Sequence, residues 1–184
     1  MLRALFLSLS ESRSLRAIAE RSSLGQRLSS RFVAGTEVED VLRVASTINK
    51  AGMSVSADNL GESVTNPEEA RASARLYDQL LDEIAARKLN ANMSLKLTHM
   101  GLDVDESLAR ELVSGLVAKA ASMQPKNFVR VDMEGSAYTQ RTLDFVHELH
   151  GLPTACSVGC NLEPLLRPVR VSFLETAGCY VGHN

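Results

Sequence analysis

The chain has 184 residues, of which 45% are apolar and 23% charged, with a formal net charge of −2. That length suits one domain with a real core, or part of a larger one, and the near-neutral balance gives nucleic acid no electrostatic reason to bind. No apolar run approaches the ~20 residues that a membrane span needs, and with Trp absent and aromatic residues at 4% the core has to be built from Leu, Val, Ile and Ala.

The N-terminal stretch "MLRALFLSLSESRSLRAIAERSSLGQRLSSRF" is rich in Arg and Ser and poor in acids. Such a composition suits a transit peptide, an amphipathic helical lead-in, or a weak interfacial segment with Leu and Phe on one face and Arg on the other. A helical lead-in over residues 1–35 is expected. Thr36 with Glu39 then fits a capping box, and Val38, Val41, Leu42, Ala45 and Ile48 follow helical spacing up to Gly52. "MSVSADNLGES" reads as a short strand with Asp58 at its far end.

"TNPEEARASARLYDQLLDEIAARKL" is the clearest helix. Asn66 can cap it, Pro67 suits the first turn, and Glu68 and Glu69 favour the N-terminal dipole. Ala70, Ala74, Tyr77, Leu80, Leu81 and Ile84 form its inward stripe. "NMSLKLTHMGLD" is a second strand carrying Lys96, and "DESLARELVSGLVAKAASM" a third helix with Leu108, Leu112, Leu116 and Val117 inward. "NFVRVDMEG" is a third strand, buried in character yet ending on Asp132 and Glu134. "YTQRTLDFVHELHG" closes the series as a helix with Leu143, Val146 and Leu149 at helical spacing.

A helix followed three times by strand and helix implies parallel strands joined by crossovers. The period of about forty residues suits a βα barrel or a doubly wound sheet, and no G-x-G-x-x-G follows the first strand. In both architectures chemistry gathers at the C-terminal ends of the strands. Asp58, Lys96 and Asp132 all sit at or near such ends. Leu95 and Leu97 are apolar, so Lys96 takes the opposite face, where a buried lysine needs an anionic partner. Asp58, Asp132 or a substrate carboxylate can serve. Arg130 shares a face with Asp132, which makes those two a candidate pair.

Three stretches carry a resemblance. "RFVAGTEVEDVLRVASTINKAGMSVSADNLGESV", "NMSLKLTHMGLD" and "NFVRVDMEGSAYTQRTLDF" together are similar to the N-terminal half of proline dehydrogenase of the monofunctional bacterial type, over about Leu2 to Gly151. The resemblance implies a (βα)8 barrel, here incomplete with three to four βα units over residues 36–151 after the helical lead-in. It implies non-covalent FAD and oxidation of L-proline to pyrroline-5-carboxylate, with electrons leaving through a membrane quinone. A cytoplasmic location, peripheral to the inner membrane, goes with that. Lys96 in "SLKLT" matches the family lysine that contacts the substrate carboxylate, and Asp132 in "VDMEG" the aspartate treated as catalytic beside the flavin. Met133 falls where the family's main chain approaches FAD. Asp58 and Glu62 in "ADNLGES" match acids at the first strand's end, Glu62 being the partner of a substrate-binding arginine.

The match is expected to fail after about Leu152. The segment 152–184 holds all three cysteines and three of the five prolines, and no lysine follows Lys126. A frameshifted or truncated gene is the preferred account, leaving an atypical tail. A chain so truncated is expected to lack the family's second half, to hold no flavin and turn over no proline by itself, and to self-associate through open sheet edges. A zinc module from Cys156, Cys160, Cys179 and His183 is the weaker alternative, and no metal is assigned. Two further readings stand beside the enzyme: a non-catalytic half-barrel that binds another chain, and an unrelated barrel enzyme using Lys96 as a Schiff-base amine.

Overall fold

A computed structural model describes residues 33–35, 37–60, 64–151 and 158–161. They fall into two compact units that divide within the first helix, between Val44 and Ala45. The helical lead-in expected over residues 1–35 and the cap expected from Thr36 lie almost wholly outside the described residues.

In the first unit the chain enters helix α1 (Val38–Lys50), with Glu39 and Asp40 in its first turn. There the unbonded N–H groups and the helix dipole favour negative charge. Arg43 reaches back to Asp40 at 3.0 Å, an exposed pair that contributes little.

The second unit begins in the last turns of α1. The helix stops where Gly52 takes φ +83°, with Gly52 N–H bonded to the Asn49 carbonyl and Met53 N–H to that of Ile48. This is the left-handed stop that glycine adopts without a Cβ penalty. Asn49 then receives the next layer: its side chain donates to the Asn90 carbonyl and accepts from Asn90 N–H, at 3.0 and 2.8 Å.

Strand β1 (Val55–Asp58), helix α2 (Pro67–Ala86), strand β2 (Ala91–Leu95), helix α3 (Glu106–Ser122), strand β3 (Val129–Asp132), a 3-10 turn (Ser136–Tyr138), helix α4 (Thr139–His150) and strand β4 (Val158–Asn161) follow. The four strands are parallel and lie in the order β1-β2-β3-β4. The alternation read from the sequence is therefore present, with one more strand. That strand comes from the segment after 151 that composition set apart; the rest of the segment lies outside the described residues.

The caps are local and chemical. Asn66 Oδ1 accepts from Glu69 N–H at 3.0 Å, and the Glu69 carboxylate accepts from Thr65 N–H at 2.7 Å, which holds its pKa below the usual carboxylate range. Asp105 Oδ1 accepts from the N–H groups of Ser107 and Leu108 and starts α3.

Register separates the two faces of the sheet. Ala57 pairs with Met93, Met93 with Val129, and Leu95 with Val131, and all five side chains are buried. Tyr77, Leu81 and Ile84 of α2, Val113 and Val117 of α3, and Phe145 of α4 are buried with them. Each buried Val, Leu, Ile, Met or Phe among them contributes about 1.5–3 kcal/mol by leaving water. The alternate positions, Asp58, Ser94, Arg130 and Asp132, project to the other face. That face is polar.

Candidate active site

The polar face is richest at the C-terminal ends of the strands. Asp58 is the last residue of β1 and Asp132 the last of β3. Lys96 lies one residue beyond the end of β2, not within the strand as the sequence suggested, and opens a run of turns to Asp105. Strand alternation still carries it to the face of Ser94, as Leu95 and Leu97 are fully buried on the other side.

Lys96 Nζ lies 3.4 Å from Asp58 Oδ2, the side chains being 19% and 28% exposed. Asp58, one of the partners open to Lys96 in the sequence, lies within ion-pair distance of it. The other Asp58 oxygen accepts from the Tyr77 hydroxyl at 3.3 Å, and the same hydroxyl oxygen accepts from Asn59 N–H at 3.2 Å. Burial raises the Tyr77 phenol far above its ordinary range; the Asn59 N–H pulls the other way, and the charge of Asp58 adds to the rise. Tyr77 is therefore a neutral donor throughout the range in which proteins work.

Asp132 is held from the neighbouring strand. Ser94, 5% exposed, donates its hydroxyl to Asp132 Oδ1 at 2.6 Å. Arg130 shares that face, but no ion pair joins it to Asp132 among the described residues; the pairing anticipated from spacing is replaced by the serine. Met133 follows directly and is half-buried at the same edge. Glu62 lies outside the described residues.

Glu134 has a separate task. It accepts from Thr98 N–H at 3.0 Å and from Thr98 Oγ1 at 2.5 Å, joining the loops that follow β2 and β3. A second tie lies further out. Asp103 accepts from Tyr138 Oη at 2.6 Å and from Arg141 at 2.7 Å, while Arg141 also donates to the Leu102 carbonyl. The hydrogen bond from Tyr138, with that of Arg141, holds the Asp103 carboxyl below its usual range. These ties fix the loop bearing Lys96 against the segment bearing Met133.

Ser94, Tyr77 and Thr98 are the residues that sequence reasoning missed. Only Ser94 left a signal there, as the residue two before Lys96 and on its face.

The site offers a cation beside a carboxylate, a second carboxylate held by a hydroxyl, and a guanidinium, Arg130, with no ion pair among the described residues. The arrangement can orient a small zwitterion. Two features also suit a flavin nucleotide. Arg130 is a half-buried cation, and Asn92 Oδ1, on the same face, is buried without a hydrogen bond among the described residues. No cluster of His, Cys, Asp or Glu among the described residues could hold a metal ion. Cys156, Cys179, His183 and the side chain of Cys160 lie outside them. No described helix is long and apolar enough to cross a membrane.

No family model matches the chain. It is 33% identical over 193 aligned residues to proline dehydrogenase 1 of Bacillus subtilis strain 168, covering 96% of this chain and 63% of that protein. It is 34% identical over 143 residues to proline dehydrogenase 2 of Bacillus subtilis subsp. natto, covering 77% and 46%. Among solved structures, proline utilization A (PutA) from Bdellovibrio bacteriovorus, inactivated by N-propargylglycine, superposes with a TM-score of 0.68 at 19% identity, over 84% of this chain and 19% of that one. The mixed α/β fold with its parallel sheet is thus similar to part of PutA. The chain spans less than two thirds of the length of these curated relatives. The family resemblance carried by the three sequence stretches is borne out: the chain is homologous to the proline dehydrogenases over nearly all its own length. An alignment of that extent also enters the segment beyond 151, where the resemblance was expected to end.

Proposed function

We propose that this chain is part of an FAD-dependent proline dehydrogenase, that its four parallel strands are consecutive strands of a (βα)8 barrel, and that its polar face lines the barrel mouth. Strand order never reverses along the sheet, as in a barrel and unlike a doubly wound sheet, whose order changes direction at a switch point. Four strands do not close an eight-stranded barrel, so the activity belongs to the complete barrel.

The observation that carries the reading is the convergence of Lys96, Asp58 and Asp132 on one edge of one face. Lys96 binds the carboxylate of L-proline. Its ion pair with Asp58 sets the ammonium at the strand edge, where a ligand carboxylate can reach it. Asp132, held by Ser94, fixes the amine end of the substrate. The Met133 main chain and the Arg130 guanidinium would hold the flavin. FAD, when bound, supplies the two-electron acceptor for the substrate C–H; the residues named here bind, orient and exclude water. A quinone receives the electrons in turn.

The test is L-proline-dependent dye reduction by the complete protein, alone and with Lys96→Ala. The proposal expects turnover in the first and a large rise in KM in the second. A complete barrel that retains FAD yet leaves L-proline unoxidised sinks it.

A further inference from the structure

Tyr77 belongs to the helical layer, and its 1% exposure marks it as core. Its ring meets His99 edge-on, with centroids 6.5 Å apart and planes at 74°. Its hydroxyl, however, leaves the apolar layer and reaches the end of β1. There it accepts from Asn59 N–H and donates to Asp58, whose second oxygen faces Lys96 Nζ. One carboxylate is thus held between a fixed neutral donor and a cation.

We infer that Tyr77 is a positioning residue: through Asp58 it fixes the ammonium of Lys96 where the ligand carboxylate is bound. The inference rests on the function proposed above for Lys96. The physical grounds are directional. A carboxylate with only a lysine partner swings with that flexible side chain, because an ammonium is a point charge with three rotatable donors. The Tyr77 hydroxyl sits on a ring packed on all sides, so it supplies the fixed point. Asn59 N–H orients the hydroxyl in turn, directing its hydrogen toward Asp58. The raised phenol pKa agrees with this, as the donor does not ionise in the working range.

Two measurements test it, and they fail separately. The first needs no activity: thermal unfolding of the purified chain as wild type, Tyr77→Phe, Lys96→Met and the double variant. If the two residues act through one carboxylate, the double variant's Tm differs from that expected by adding the single shifts. Additive shifts overturn the inference. The second uses the complete, FAD-loaded protein. Tyr77→Phe is expected to raise KM for L-proline roughly tenfold, the loss of about one hydrogen bond, with kcat little changed, and to add nothing further when Lys96 is already Met. A Tyr77→Phe protein that loses kcat along with substrate affinity, or whose KM rises further on the Lys96→Met background, sinks the positioning role. If wild-type protein oxidises no L-proline, the functional proposal fails while the unfolding cycle still decides whether Tyr77 and Lys96 are linked.

Discussion

Ser94 donates its hydroxyl to Asp132 across 2.6 Å, from the second of the four strands to the end of the third. The bond fixes one oxygen of Asp132, and no hydrogen bond reaches the other among the described residues. Ser94→Ala removes that anchor without touching the fold's apolar face. The expected result is a fall in kcat of about tenfold or more in the complete enzyme, equivalent to the loss of a hydrogen bond to a charged group. Unchanged kinetics in Ser94→Ala argues that Asp132 is fixed by something else.

Lys96→Ala is expected to raise KM for L-proline by roughly 10–150-fold, the range for a charge-assisted bond of about 1.5–3 kcal/mol. Pyrrolidine, which lacks the carboxylate, is the control. Its weak oxidation should be unaltered by the same change. Equal losses for both compounds argue against a carboxylate role.

Lys119 joins α2 to α3 by bonding Asp78 and Asp82, each at 2.8 Å, and the Asp78 carbonyl at 2.9 Å. Burial acts to lower its pKa, but the two carboxylates outweigh it and the net shift is upward from 10.5. A lysine whose folded pKa is raised contributes stability that is complete below its unfolded pKa and is lost as pH rises through the folded value. Unfolding followed between pH 9 and 12 should therefore show wild type losing stability faster than Lys119→Met above about pH 10.5. Parallel curves would remove this interaction from the account.

Gly101 sits at φ +89°, and a Cβ there would stand 3.0 Å from Ala70 Cβ. Both the conformation and the close approach to α2 oppose a side chain. Gly101→Ala is expected to destabilise by about 1–3 kcal/mol, read as a lower denaturant midpoint at unchanged slope. A neutral result shows that the loop after β2 shifts freely.

Much of this was legible in the sequence because it was local. The stop at Gly52 and the Asn66 cap are decided within four or five residues. The face of Lys96 followed from the leucines on either side. What escaped were choices made across the sheet. The spacing of Arg130 and Asp132 suggested a pair, yet Ser94 from the next strand lies closer to the carboxylate. Glu134 stood beside Asp132 at the end of the third strand, and it is engaged with Thr98, thirty-six positions away in the chain. Tyr77 fitted its helical stripe so well that its hydroxyl went unconsidered. In α3 and α4, Leu112 and Leu143 are half-buried while Val113 and Phe145 fill the interior, since a helix's inward arc is wider than one ideal stripe.

The strand order has a consequence for synthesis. Every strand pairs with the one made immediately before it, so each closure spans only about thirty to forty residues and its entropic cost stays nearly constant along the sheet. A nascent chain can therefore add these four strands one at a time as it leaves the ribosome. The edge that gathers Asp58, Lys96 and Asp132 is complete as soon as β3 docks.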